Sequence, residues 1–111
     1  DNLCVIIDLN GLQIDGPTEK VMNSAPVDAK MEAFGFNVIT IDGHDYDQIE
    51  SAFNAFRACT GKPTAILMHT TKGKGVSYME NNVDWHGKAP NDAEYEVAMN
   101  ELRAAMAELE A

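Results

Sequence analysis

The amino-acid sequence predicts an α/β fold in which helices cover both faces of a parallel sheet. Three observations carry this expectation. Short β-branched apolar runs occur three times, at residues 3–8 (LCVIID), 37–41 (NVITI) and 64–69 (TAILMH). Helical patterns with their own start and stop signals lie between them. Strands alternating with helices bury their apolar faces as a parallel sheet between helical layers. Three strands are few for such a sheet, so the fold is expected to be incomplete. Its first strand should draw neighbours from a missing N-terminal part or from a partner.

Taken in order, residues 3–8 form a continuous apolar run closed by an acid, which predicts a strand buried on both faces. Asn10-Gly11 and residues 13–16, closed by Pro17, predict turns. Residues 26–34 predict a helix with Pro26 at its first position, Val27, Met31 and Phe34 on one face, and Gly35 as the stop. A strand at 37–41 ends on Asp42-Gly43. Asp45 then serves as an N-cap, with Gln48 completing a capping-box pattern. The helix it opens carries Ile49, Ala52, Phe53 and Phe56 on one stripe and ends before Gly61 and Pro63. After the strand at 64–69, residues 70–91 predict a long connection, and loops of that length are more often functional than idle. Asn91, with Glu94 three positions on, caps a last helix at about 92–110. Its apolar face holds Tyr95, Met99, Leu102, Met106 and Leu109. The remaining methionines are expected in the core.

The bulk numbers exclude several functions. The chain has 111 residues, 45% of them apolar, enough for one core but not for two ordinary domains. Eight Lys plus Arg against eighteen Asp plus Glu give a net charge of −10. Such a field repels nucleic acid and anionic membranes, and no basic stripe offsets it. Cys4 and Cys59 form neither a disulfide framework nor a zinc spacing, which points to a reducing cytoplasm. No apolar run approaches membrane-spanning length, and no signal segment precedes the first strand. The chain enters that strand directly after Asp1-Asn2, so its start reads as cut.

Chemistry concentrates in two places. Ligands of parallel sheets bind beyond the carboxyl ends of the strands, where Asp8-Leu9-Asn10-Gly11 lies. Magnesium takes about six oxygens and commonly shares a bound phosphate. The Asn10 amide offers it a neutral oxygen, and a turn carbonyl offers another. From these residues alone, Asn-Gly after a strand is far more often a plain turn. The second place is Lys72-Gly73-Lys74-Gly75. Its glycines would let backbone approach a phosphate and its lysine supplies charge; the bland reading is a solvated loop. His86 follows Lys72 by fourteen positions. His44 reads as binding backbone at the corner before a helix, His69 as a core histidine, and Trp85 as packing the loop down.

The segment DLNGLQIDG at 8–16 resembles the closing half of the thiamine diphosphate motif. IDGHD at 41–45, GKPTAI at 61–66, TKGKG at 71–75 and WHGKAPN at 85–91 resemble transketolases, in that family's order and over nearly the whole chain. The resemblance implies a partial thiamine diphosphate-binding domain over 1–111, its cofactor loop at 70–91. Asn10 and the Leu12 carbonyl would bind Mg²⁺, with Ca²⁺ able to substitute. Ile14 would pack near the cofactor rings. Lys72 would reach the cofactor, and Lys74 would face solvent. His86 would touch the diphosphate and the sugar substrate and act in catalysis. Leu9 departs from a common polar residue, with its side chain expected to point away from the metal.

The implied reaction moves a two-carbon ketol unit between sugar phosphates, as in the pentose phosphate pathway, with the cofactor supplying the carbanion chemistry. The Glu that activates the cofactor lies, in this family, in a pyrimidine-binding domain of a partner subunit. The family's Gly-Asp-Gly metal ligand is also absent. The chain thus resembles the tail of the N-terminal subunit of a split transketolase, working in a dimer-based assembly and inactive alone. Three alternatives stay open at this level. One is another thiamine diphosphate enzyme such as deoxyxylulose phosphate synthase, which shares TKGKG. The others are a non-catalytic fragment or assembly subunit, and an unrelated phosphate-binding α/β module.

Overall fold

In a computed structural model of the chain, residues 1–110 are described. The main sheet has three parallel strands, β1 (Cys4–Leu9), β4 (Asn37–Asp42) and β5 (Thr64–His69), in the order β1-β5-β4. A short ribbon of β2 (Leu12–Gln13) and β3 (Gly16–Pro17) follows β1 and leads into α1 (Thr18–Val21). The other helices are α2 (Val27–Ala33), α3 (Tyr46–Ala58) and α4 (Asp92–Leu109). The last strand in sequence is thus the middle strand in space, and its first four residues, Thr64 to Leu67, are at most 2% exposed. Burying Ile66 and Leu67 is worth roughly 1.5–3 kcal/mol each.

The register sorts side chains onto two faces. Ile6, Ile66 and Ile39 are level with one another, as are Ile7, Leu67 and Thr40. Side chains alternate along a strand, so these sets point opposite ways. Ile41 and Ile66 pack with Ala52 of α3, flanked by Ile39, Ile49, Phe53 and Met68. On the other face Ile7, Leu67 and Thr40 line a hollow of about 640 Å³ that extends to Pro26 and Val27 at the start of α2. Helices therefore lie on both faces, as the sequence predicts.

Several expectations need correction. β1 is not buried on both faces: it is an edge strand, and Ile6 is half-exposed. Pro26 stands one position earlier than expected, as the N-cap of α2. Phe34 falls outside that helix and is 79% exposed. Met22 and Met106 also face outward. The apolar stripe of α4 is largely open, with Tyr95, Leu102, Met106 and Leu109 exposed and only the small Ala98 fully covered. A stripe at helical spacing establishes what a helix is able to bury, while coverage depends on what the fold places opposite it.

The caps follow the sequence with one variation. Asn91 and Glu94 form a full capping box on α4. At α3, Asp45 accepts the N–H groups of Asp47 and Gln48. Gln48 does not return to the Asp45 N–H. Its Oε1 accepts from the Asp42 N–H at 3.0 Å, and its Nε2 donates to Asp45 Oδ2. The cap consequently ties α3 to the end of β4.

Candidate functional site

Beyond the carboxyl ends of β1 and β5 lies a cleft of about 150 Å³. It is lined by Asn10, Leu12, Gln13, Ile14, Lys72, Val83 and His86. Five of these are the residues singled out in the sequence, and they come from segments some sixty positions apart. Gln13 and Val83 are additions. Nothing local marks either one: alternation along 12–14 would set Gln13 on the face opposite Leu12 and Ile14.

Each wall has a local cause. Asn10 follows the last residue of β1, and its Oδ1 accepts the Leu12 N–H at 2.9 Å, closing an Asx turn. This fixes the amide while leaving one lone pair of Oδ1 free. Leu12 pairs with Pro17 across the ribbon, and proline has no N–H to offer the Leu12 carbonyl. The Gln13 amide donates to the Met22 carbonyl at 2.8 Å, fastening the ribbon to the exit of α1. Ile14, at the ribbon's tip, is 61% exposed.

The opposite wall belongs to residues 70–91, which form a folded connection. The Lys72 carbonyl accepts the Asn81 N–H at 2.9 Å. Val83–His86 is one 3-10 turn, capped by the Asn82 side chain, with the exposed His86 at its end. Trp85 holds the turn down: its indole N–H donates to the Tyr78 carbonyl at 3.0 Å and its ring lies 4.9 Å from that of Tyr78. Lys88 sits over the Trp85 ring and pairs with Glu94. Ser77 donates twice to the Glu101 carboxylate, and Tyr78 donates to the Glu94 carbonyl, so α4 is the base on which the connection rests.

The glycines of KGKG act differently from the sequence expectation. A Cβ on Gly73, at φ +72°, would stand 2.5 Å from the Met79 carbonyl oxygen, so the loop's own packing requires glycine there. The N–H groups of Lys74, Gly75 and Val76 donate to Thr71, Glu80 and Gly73 respectively. They are not held open for a phosphate. What this segment presents to the cleft is the side of Lys72, while Lys74 is exposed on another hollow. His69 is corrected too: it is an exposed residue bordering two other hollows, not a core histidine. His44 binds backbone, but that of the β5 exit and not of its own corner: its Nε2 accepts the Thr71 N–H at 2.7 Å.

The cleft therefore offers neutral oxygens on one side and nitrogen groups on the other. Among the described residues, no three His, Cys, Asp or Glu side chains are grouped to hold a metal. The donor set suits a cation that also takes oxygens from an anionic ligand, with Lys72 balancing the anion. Burial pushes the Cys4 thiol up from its ordinary range, as befits a packed rather than a reactive cysteine.

Three carboxylates of the supporting frame lie below their ordinary range. For Asp45 the main cause is the Gln48 N–H, then the Gln48 side chain. For Glu94 it is the Asn91 N–H, then Lys88. For Glu101 it is the Ser77 hydroxyl, then its N–H. A lowered folded-state value means that stabilisation is complete above the unfolded value and lost as pH falls through the folded one. Melting temperature should thus hold steady from about pH 7 to about pH 5 and drop below about pH 4. In Glu101→Gln the acid-side drop should be shallower, as melts across that range will reveal; an unchanged slope would remove Glu101 from the account.

Fold and cleft together define an α/β chain with a small ligand hollow beyond the carboxyl ends of its strands, the usual binding place of such sheets. The family profile described as transketolase, thiamine diphosphate binding domain, matches residues 1–107. An apulose-4-phosphate transketolase subunit of Phocaeicola vulgatus is 41% identical over 110 residues, covering 99% of this chain and 39% of that protein. The 6-deoxy-6-sulfo-D-fructose transketolase subunit SqwG of a Clostridium species is 38% identical over 102 residues, 92% of this chain and 37% of that protein. Among solved structures, transketolase from Campylobacter jejuni superposes with a TM-score of 0.77 at 28% identity, over 90% of this chain and 16% of that one. The chain belongs to the transketolase family, within its thiamine diphosphate-binding domain. It spans about two fifths of the length of these two relatives.

Proposed function

We propose that this chain supplies one side of a thiamine diphosphate and Mg²⁺ site in a two-component transketolase, moving a two-carbon ketol unit between sugar phosphates. The observation that carries the reading is the single cleft joining Asn10, Leu12 and Ile14 to Lys72 and His86. Asn10 Oδ1 and the Leu12 carbonyl are the oxygens offered to Mg²⁺, which Ca²⁺ can replace. The Lys72 ammonium faces the diphosphate charge. Ile14 gives the rings an apolar wall, and its exposure leaves it free to do so. His86 donates a hydrogen bond to the diphosphate and to charge developing on the sugar. When bound, thiamine diphosphate supplies the carbanion chemistry, and the protein's part is orientation and electrostatics.

The Phocaeicola and Clostridium relatives are both named as transketolase subunits, which supports a partner carrying the cofactor-activating carboxylate. A dimer-based assembly in a reducing cytoplasm follows from the same reading, in keeping with two free, half-buried cysteines. Among the described residues no helix is long and apolar enough to cross a membrane.

Calorimetry separates the parts of this reading. Titrated alone, the 111-residue chain should bind thiamine diphosphate with Mg²⁺ weakly or not at all, because it offers only two of about six metal oxygens. The assembled enzyme should bind it tightly and transfer ketol units only when it is present. Tight, Mg²⁺-dependent binding by the chain alone would overturn the partial site. Ketol transfer indifferent to the cofactor would overturn the function.

A further inference from the structure

Three consecutive residues at the exit of β5 are held by groups at the ends of its two neighbouring strands. The His69 carbonyl accepts the Gly43 N–H at 2.8 Å. The Thr70 hydroxyl hydrogen-bonds to the Asp8 carboxylate at the end of β1. The Thr71 N–H donates to His44 Nε2 at 2.7 Å. Lys72 comes next. Its approach to the cleft is therefore set by contacts made before it, from the ends of both neighbouring strands.

The His44 contact has the features of a built device. Asp42 Oδ1 accepts the His44 N–H at 2.9 Å, turning the chain so that the ring faces Thr71. A Cβ at Gly43 would lie 2.5 Å from Thr70 Cγ2 and 3.1 Å from Met68 Cβ, so this corner meets the β5 exit at a distance only glycine allows. Because Nε2 accepts, the ring proton sits on Nδ1. The Thr71 carbonyl is engaged as well, by the Lys74 N–H at 3.2 Å. Thr71 is thereby restrained at both its N–H and its carbonyl. On the other flank Asp8 stands two positions before Asn10, so the same clamp links the segment bearing the oxygens to the segment bearing the lysine.

We infer that His44 is a positioning residue for the cofactor cleft: by accepting the Thr71 N–H it fixes the root of the connection and so the place from which Lys72 reaches an anionic ligand. This rests on the proposed role of Lys72, and the test must keep the two apart. His44 itself does not line the cleft; it lies on the neighbouring hollow beside Thr71 and Lys74.

The experiment uses the assembled enzyme and reads thiamine diphosphate affinity by calorimetry, with hydrogen exchange of the Thr71 amide as a readout independent of turnover. Four proteins are compared: His44→Phe, His44→Gln, Lys72→Met and the double variant His44→Phe/Lys72→Met. Glutamine keeps an acceptor near the Nε2 position, whereas phenylalanine keeps a ring and removes the acceptor. His44→Phe should weaken the cofactor about five- to ten-fold, the scale of one lost hydrogen bond, and should speed Thr71 exchange. His44→Gln should recover most of both. On the Lys72→Met background, His44→Phe should add little, since the two act along one route.

Several results would count against the inference. If Lys72→Met weakens the cofactor while His44→Phe leaves it unchanged, the inference fails and the reading of Lys72 stands. If both histidine variants lose affinity equally, and additively with Lys72→Met, His44 has only a structural part and the inference fails. If Lys72→Met binds like the parent protein, the reading beneath the inference falls and takes it along.

Discussion

In the assembled enzyme, Asn10→Ala should weaken the joint binding of thiamine diphosphate and Mg²⁺ by about 10- to 100-fold, with little loss of fold. Loss of a group that merely orients a metal ligand already has that effect, and Asn10 is read as a ligand itself. Its amide has a second duty, since Oδ1 closes the turn on the Leu12 N–H. Alanine leaves that N–H without its partner, at a cost of about 1 kcal/mol and a few degrees of melting temperature. The two effects separate in Asn10→Asp, which keeps the acceptor for Leu12 but places a charge beside a metal already facing a diphosphate. Asn10→Asp should regain the melting temperature more fully than the affinity. Metal and cofactor affinities unchanged in Asn10→Ala would remove Asn10 from the site.

The second large effect is expected at His86, and it should fall on turnover. His86→Ala is predicted to lower kcat by about 10²- to 10³-fold, the scale of losing one donor aimed at developing charge. Cofactor affinity should change by less than about ten-fold, because on the proposed reading Lys72 faces the larger share of the phosphate charge. The position favours such a division. His86 ends a short turn held by Asn82 and Trp85, and its own side chain is exposed at the rim of the cleft. Steady-state kinetics and calorimetry on the same variant decide the matter. A large loss of cofactor affinity with kcat nearly intact would assign His86 to the diphosphate alone.

The candidate site was unusually legible, and residue types explain why. Asn10, Lys72 and His86 each stand in a short motif with its own turn chemistry, so the family's pattern reaches them one residue at a time. What failed was reasoning from local composition to local purpose. KGKG suggested backbone opened toward a phosphate, yet Gly73 is needed to clear the Met79 carbonyl and the N–H groups after it are internally paired. Glycine reports that space or an unusual φ is required and does not report which neighbour requires it. His69 failed in the same manner, because a residue at the end of a buried strand points either into the core or beyond it. The roles of Asp8, Gly43 and His44 in holding the β5 exit were invisible, since their partners lie 26 or more positions away along the chain.

By itself the sequence determined the alternation of strands and helices, the caps of α3 and α4, the parallel character of the sheet and the residue types of the cleft. These follow from periodicity, from the hydrogen-bonding needs of helix ends and from short motifs, all readable within about a dozen residues. The tertiary structure decided the strand order β1-β5-β4, which makes 64–69 the buried middle strand and leaves Ile6 half-exposed on an edge. It also decided that the stripe of α4 stays largely open, and that segments some sixty residues apart close on one cleft. Burial and convergence depend on what lies opposite a residue in space, and pairing between distant segments leaves no periodic trace in either one.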